Sequence, residues 1–193
     1  MTLPLAAIAL ARKWTSRTAA PISGPSHATA LATESRRLVR TARRGCKQRL
    51  EPIAGYYEIS TDGNPLTIGD CMMITAGLMQ RYDNPVLACL RCGVEMIEAA
   101  RSCRAAWKVR IGIHTGPVVA GMAGNQHYAF DVWGDTVNTA SRVEGTAEPD
   151  TISVSEPAWA QVYQHCKGRS QGLRPLKGKA SMEVFRFEGF RDS

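Results

Sequence analysis

The chain has 193 residues, of which 44% are apolar and 21% charged, and a formal net charge of +7. This length suits one globular domain with an extension and leaves little room for two full cores. The positive charge lies at one end. Residues 1–50 carry ten Lys or Arg against one acid, whereas residues 51–193 carry fourteen against sixteen acids. The composition therefore predicts a basic, disordered extension over 1–50 and a near-neutral globular domain over 51–193.

The sequence gives little support for a membrane protein, a secreted protein or a zinc-stabilised scaffold. The chain has no run of eighteen apolar residues, which predicts that no transmembrane segment is present. The apolar start lacks a preceding basic residue, so it is a poor secretory signal. The acid-poor N-terminal segment, rich in Arg, Ser and Thr, resembles a transit peptide in composition, with a disordered basic leader or a misplaced translation start as the alternatives. Cys89 and Cys92 form a CxxC without a second Cys or His pair at zinc spacing. Buried thiols and a cytoplasmic location are the predictions.

The first elements of the domain are a hairpin, a helix and two strands. The stretch LTIGDCMMITAG predicts a hairpin that turns at Gly69 and Asp70. Asn84 and Pro85 are typical of a helix start, and apolar residues at helical spacing extend the helix over about 85–104. Alternation over 109–114 predicts a strand, and Gly116 with Pro117 predicts a turn into a second strand.

The remaining pattern completes an α+β fold. Residues 130–133 form a short apolar piece, and Asp135 is a candidate cap for the helix that follows. A strand over 151–155, a helix over 156–166 and a final strand over 182–190 follow in turn. We expect a mainly antiparallel sheet with helices on one face.

Three segments resemble the catalytic domain of class III nucleotidyl cyclases. They are VRIGIHTGPVVAGMAGNQHYAFDVWGDTVNTASRVE at 109–144, TIGD at 67–70, and LKGKASMEVFRF at 176–187. The resemblance implies a ferredoxin-like βαββαβ core that works as a homodimer with composite active sites. The implied activity is that of an adenylate cyclase, a phosphorus–oxygen lyase that converts ATP to 3′,5′-cyclic AMP and pyrophosphate with two divalent ions, Mg²⁺ or Mn²⁺.

The resemblance also implies roles for individual residues. Asp70 matches a metal-binding aspartate, although an Asp after Gly is also ordinary turn chemistry. Asp131 matches the position that contacts adenine. Asn138 and Arg142 stand at i and i+4 on the predicted helix and match residues near the ribose and the reacting phosphate. His114 is expected to be structural.

Two features depart from the family pattern. The family's first metal aspartate lies in a block of the type F-x-D-[IV]-x-G-[FY]-[ST], which is missing here, and residues 1–58 contain no Asp. The N-terminal part of the core is therefore expected to be incomplete, its first strand absent or replaced by the basic extension. Leu66 stands where adenylate-type members usually carry Lys, so purine selection would depend on Asp131 alone.

Two other functions compete with catalysis. A non-catalytic cyclase-like partner would supply Asp131, Asn138 and Arg142 to a composite site whose metals are held by another chain. A nucleic-acid-binding protein would depend on the basic extension, which has no interleaved aromatic platform. A charged tail explains that extension equally well, and no nucleic-acid partner is expected.

Overall fold

The computed structural model describes residues 2–13, 66–68, 71–78, 82–102, 107–123 and 129–191. Within these ranges the chain forms one mainly antiparallel sheet and three helices. The strands are β1 Thr2–Lys13, β2 Leu66–Ile68, β3 Cys71–Ala76, β4 Val109–Ala123, β5 Ala129–Trp133, β6 Thr151–Ser155, β7 Cys166–Arg174 and β8 Met182–Phe190. The helices are α1 Pro85–Ser102, α2 Asp135–Glu144 and α3 Glu156–Trp159.

The strand order is β2-β3-β1-β4-β6-β8-β7, with β5 paired to the far end of β4. The β4–β6 pair is parallel, and the other described pairs are antiparallel. The α+β class and the order of β1, β2, β3, α1 and β4 agree with the expected core. The position of a helix between β1 and β2 falls in residues 14–65, outside the described residues.

The N-terminal strand β1 contradicts the expectation that the start of the chain is disordered. Residues 2–13 are not a disordered extension, because β1 lies between β3 and β4 and pairs with both. Ala7, Ile8 and Ala9 are almost fully buried. A strand covered on both faces is typically a continuous apolar run rather than an alternating one, and the start of this chain fits that pattern. The boundary near residue 50 lies outside the described residues.

The helices α1 and α2 lie on opposite faces of the sheet, so the expectation of helices on one face is wrong. A Cβ built on Gly93 of α1 would contact Ile111 and Ile152, whereas one built on Gly112 would contact α2. Neighbouring residues of a strand point to opposite faces, so Ile111 and Gly112 face different layers. The first face carries the larger core, and the second carries a smaller cluster around Ile8 and Ala140.

Several local predictions are confirmed and two are wrong. The β2–β3 hairpin forms, and Asn84 caps α1 by accepting a hydrogen bond from Leu87 N at 3.0 Å. The chain does not turn at Gly116 and Pro117, because β4 continues to Ala123 with β1 alongside it. The helix expected over 156–166 ends at Trp159, whose ring stacks on Phe185 at 5.1 Å.

Candidate functional site

Helix α2 is held against β4 at positions where β4 has no side chain. Gly112 and Gly116 point to the same face of β4, and a Cβ on either would collide with α2, at 2.1 Å from Glu144 N and 2.6 Å from Thr136 Oγ1. Thr136 Oγ1 also donates a hydrogen bond to Pro117 O at 2.6 Å. The two glycines therefore allow the helix to lie directly on the strand backbone.

The C-terminal end of α2 is fixed by a buried ion pair. Glu144 is 3% exposed and pairs with Arg110 of β4, with 2.9 Å between Oε1 and Nη2. Removing one partner of such a pair would leave a charge buried without compensation, which is costly. Together with the glycine contacts, this pair places α2 rigidly on the second face of the sheet.

The outer side of α2 presents the two predicted catalytic residues. The helix buries Thr136, Thr139, Ala140, Val143 and Glu144 against the sheet. Asn138 is exposed and Arg142 is half-buried, one helical turn apart. A Cβ built on Gly178 would lie 3.9 Å from Arg142 Nη2, so the guanidinium sits beside the turn that precedes β8. This side of α2 can offer an amide and a guanidinium to one ligand.

Asp131 lies close in sequence to α2, on the strand that precedes this helix. It is on β5, paired with Gly121 of β4, and its Oδ1 accepts a hydrogen bond from Val132 N at 2.8 Å. Val132 packs into the cluster that includes Ala140, so by strand alternation Asp131 points to the other side of the ribbon. Among the described residues no hydrogen bond joins Asp131 to Asn138 or Arg142, and a shared ligand would have to bridge them.

Only part of the predicted metal site belongs to the described residues. Asp70 lies outside the described residues, and so does the side chain of Leu66. No group of three His, Cys, Asp or Glu that could hold a metal ion occurs among the described residues. The central strand β1 has no carboxylate, and its register pairs Arg12 with Cys71 at the base of the β2–β3 hairpin. The described residues alone therefore do not form a divalent metal centre.

Comparison with a family model identifies the protein family of this chain. The model of the adenylate and guanylate cyclase catalytic domain matches residues 57–189, more than half of the chain. The chain belongs to this family. The match begins after β1, so the central strand of this cyclase domain is supplied by sequence that the family model does not cover.

The curated relatives of the cyclase domain include both nucleotide classes. It is 31% identical over 134 residues to a receptor-type guanylate cyclase of Caenorhabditis elegans, covering 65% of this chain and 10% of the relative. It is 35% identical over 139 residues to the germination-specific adenylate cyclase of Dictyostelium discoideum, covering 66% and 16%. An adenylate cyclase of Mycobacterium tuberculosis is 31% identical over 121 residues, covering 61% and 27%. The chain thus spans a minor part of the length of these relatives.

Solved cyclase structures share the fold over nearly the whole chain. The adenylyl cyclase CyaB of P. aeruginosa matches with a TM-score of 0.77 at 19% identity, covering 99% of this chain and 97% of that one. The guanylate cyclase domain of RhGC from Catenaria anguillulae, in complex with GTP, matches with a TM-score of 0.74 at 20% identity, covering 99% and 100%. At such identities the likeness establishes the fold.

One polar cluster of the cyclase domain was missed by the sequence reasoning. Lys179, in the turn before β8, donates to Thr139 Oγ1 at 2.6 Å and pairs with the Asp135 carboxylate. This hydrogen bond is the main reason why the pKa of Asp135 is lowered. The sequence points to Lys179 only through the LKGK segment, and helical periodicity is a local pattern that does not relate this segment to α2.

His114 forms a second polar contact beneath α2. It is 8% exposed, and its Nδ1 shares a hydrogen bond with Ser155 Oγ at 2.7 Å. Burial lowers its pKa from 6.5 to about 4, and the positive charge of Lys179 acts in the same direction, whereas Asp135 opposes it. His114 is therefore neutral near pH 7 and has a structural role in this geometry.

The neutral state of His114 predicts a pH-dependent stability. The unfolded chain takes up a proton on this residue as the pH falls below 6.5, while the folded chain does so only near 4. We therefore expect the free energy of unfolding to fall across this window, by up to about 3 kcal/mol. Urea unfolding between pH 7 and 4.5 measures it. The His114→Gln variant should lack this component, and an equally steep pH dependence in that variant would contradict the assignment.

No helix within the described residues is both long enough and apolar enough to cross a membrane.

Proposed function

We propose that this cyclase domain is an adenylate cyclase that forms 3′,5′-cyclic AMP and pyrophosphate from ATP. The observation that carries the proposal is the presentation of Asn138 and Arg142 on the free side of the docked helix α2. A rigidly mounted amide and guanidinium are what a site needs to orient a ribose and to stabilise charge on a phosphate. We place the domain in the cytoplasm, in keeping with its dilute cysteines.

The reaction requires positioning more than covalent help from the protein. The ribose 3′-oxygen forms a bond to the α-phosphorus, and the bond from that phosphorus to the bridging oxygen of the β-phosphate breaks. Pyrophosphate leaves with the electron pair, and the proton of the 3′-hydroxyl passes to solvent. Negative charge spreads over the phosphate oxygens during the transfer, so catalysis depends on groups fixed around them.

Arg142 and Asn138 have complementary roles in this proposal. The guanidinium of Arg142 is planar and always charged, so it matches the spread charge of the reacting phosphate. The amide of Asn138, one turn earlier, would hydrogen-bond the ribose and hold the 3′-hydroxyl in line. Asp131, on β5, would accept a hydrogen bond from the adenine amino group, which the guanine ring does not offer at that position.

Divalent ions are the proposed cofactor, with Asp70 as the ligand that the family resemblance implies. When bound, Mg²⁺ or Mn²⁺ would neutralise phosphate charge and acidify the attacking hydroxyl. The described residues do not complete such a centre, so the steps assigned here involve only the side chains of α2 and β5.

A homodimer with composite sites is proposed from the surface next to α2. Val119 and Trp133 are direct partners across the β4–β5 ribbon, and they are 42% and 40% exposed. An exposed aromatic beside an exposed aliphatic side chain is typical of a surface that a partner covers. A second copy there would bring another chain next to the strand that carries Asp131.

The proposal is tested by turnover with each purine nucleotide. We expect the purified chain to make cyclic AMP from ATP with Mn²⁺ or Mg²⁺, and to use GTP less efficiently. Asp131→Ala should lower the ATP-over-GTP ratio of kcat/KM on the order of tenfold, the value of one hydrogen bond to a charged group. The exposed Asp83→Ala is the matched control. An unchanged ratio in the Asp131 variant would refute adenine contact.

A second candidate function is favoured by β1. This strand pairs with β3 of the β2–β3 hairpin and has no carboxylate, so it offers no acidic ligand to a metal at that hairpin. Such a protomer would complete the site of another cyclase chain without holding metals itself. Product that forms only when a complete cyclase chain is added, and that requires Arg142 of this chain, would establish this function in place of the first.

A further inference from the structure

The turn between β7 and β8 is attached to α2 at both of its ends. Leu176 is 3% exposed and packs against Val143 of the helix and Val184 of β8. Lys179 N donates to Leu176 O at 2.8 Å, and Gly178 adopts a φ of +73°, which closes the turn. The other end of the turn is fixed by the side chain of Lys179.

The ammonium group of Lys179 is occupied by two groups of α2. It donates to Thr139 Oγ1 at 2.6 Å and pairs with Asp135, one helical turn earlier. Thr139 Oγ1 donates its own proton to Asp135 O at 2.8 Å, so the hydroxyl accepts from the lysine. The Lys179 side chain is 20% exposed. In this geometry the lysine neutralises a carboxylate of its own chain.

Arg142 lies beside the same cluster. It follows Asp135 by seven residues, two helical turns along one side of α2. Its guanidinium is next to Gly178, and its charge attracts the Asp135 carboxylate, adding to the effect of Lys179 in lowering the pKa of Asp135. One carboxylate therefore faces two cations, and only Lys179 is in direct contact with it.

We propose that Lys179 is a positioning residue that occupies Asp135 and so leaves the Arg142 guanidinium free for the nucleotide phosphate. This inference rests on the proposed role of Arg142. If Lys179 is removed, Asp135 has Arg142 as its nearest remaining cation on α2, and a bidentate carboxylate–guanidinium pair is favourable. The turn also loses an anchor next to Arg142.

The kinetic test is a pair of substitutions and their combination. We expect Lys179→Ala to lower kcat roughly tenfold to a hundredfold with little change in KM, since the lost interaction acts on the transition state. Adding Asp135→Asn should restore most of the rate, because the competing carboxylate is gone. Lys179→Arg should retain activity. Lys167→Ala, which removes an exposed lysine from β7, is the matched control.

Two kinetic results would overturn the inference. A higher KM in Lys179→Ala that Asp135→Asn does not correct would mean that the lysine binds the triphosphate itself. Salt separates the two mechanisms further: screening weakens a captured Asp135–Arg142 pair and raises the rate of Lys179→Ala, whereas it weakens direct phosphate binding. If the turnover rate of Lys179→Ala falls with added salt and never rises, Asp135 does not hold Arg142 in that variant, and the inference is wrong.

A test that needs no turnover separates this inference from the proposed function. The carboxyl pKa of Asp135 is measured by NMR titration in the full chain. In Lys179→Ala it should stay below its usual value of 3.8, because Arg142 replaces the lysine, and it should return to that value when Arg142→Ala is added. A return in Lys179→Ala alone would overturn the inference. Absence of cyclic AMP together with the expected titration would instead reject the proposed function.

Discussion

We expect Arg142→Ala to lower the proposed rate of cyclic AMP formation by about 100-fold or more, with the fold retained. The expectation follows from the position of the side chain on the free side of α2, where it is half-buried and adds nothing to the apolar clusters of the sheet. A guanidinium fixed in advance next to developing phosphate charge stabilises the transition state more than the bound substrate. The change should therefore appear in kcat, with KM nearly constant.

The controls for this variant address charge and folding. Arg169→Ala removes an exposed arginine from β7 that pairs with Glu188 at 3.8 Å on the surface, and it should leave turnover unchanged. Thermal unfolding of the Arg142 variant should stay close to that of the unmodified chain. Full activity in Arg142→Ala would refute the role assigned to α2 in catalysis.

Gly112→Ala is expected to have the largest effect on stability. A Cβ at this position would lie 2.1 Å from Glu144 N and 2.7 Å from Ala140 O, and both are backbone atoms that cannot rotate away. Helix α2 would have to move off β4, which would also strain the buried Arg110–Glu144 pair. We expect the free energy of unfolding to fall by about 3 kcal/mol or more, at the upper end for an overpacked site.

Gly121→Ala is the matched control for this effect. It lies on the same strand, but the nearest atom to its added Cβ is a ring carbon of Trp133 at 3.8 Å, an ordinary contact. Its free energy of unfolding should change by no more than about 1 kcal/mol. Equal stability of the two variants in urea unfolding would show that α2 is not seated on Gly112. Loss of turnover in Gly112→Ala alone would link the seating of α2 to catalysis.

The residues of the central strand β1 suit burial in the sheet but not metal binding. β1 completes the sheet with small apolar residues, Ala7 and Ala9 among them, yet brings no carboxylate to the β2–β3 hairpin. Fold and metal binding make separate demands on this strand: burial needs apolar side chains on both faces, while a metal needs oxygen ligands. Here β1 satisfies only the requirement of burial. It completes the sheet on which α2 packs, and under the second candidate function the metal ligands would come from the partner chain.

The sequence by itself determined the family, the hairpin, α1, α2 and the spacing of Asn138 and Arg142. These depend on local patterns, such as helical periodicity and turn residues, and on a long motif in one continuous segment. It also identified the missing acidic block, which needs only a comparison of residue types. The purine-selecting role of Asp131 and the metal-binding role of Asp70 stay predictions.

Only the tertiary structure decided that residues 2–13 are the middle of the sheet, that α1 and α2 lie on opposite faces, and that Lys179 contacts α2. Each depends on contacts between residues far apart in the chain: Ala7 pairs with Ala76 and Thr115, and Lys179 meets Asp135 across 44 positions. Gly116 shows the reason most clearly. Next to Pro117 it is typical of a turn, but in the folded domain its missing side chain is the space that Thr136 occupies. Packing of α2 on β4, which local propensity does not encode, decides that Gly116 serves as a close-contact position and not as a turn.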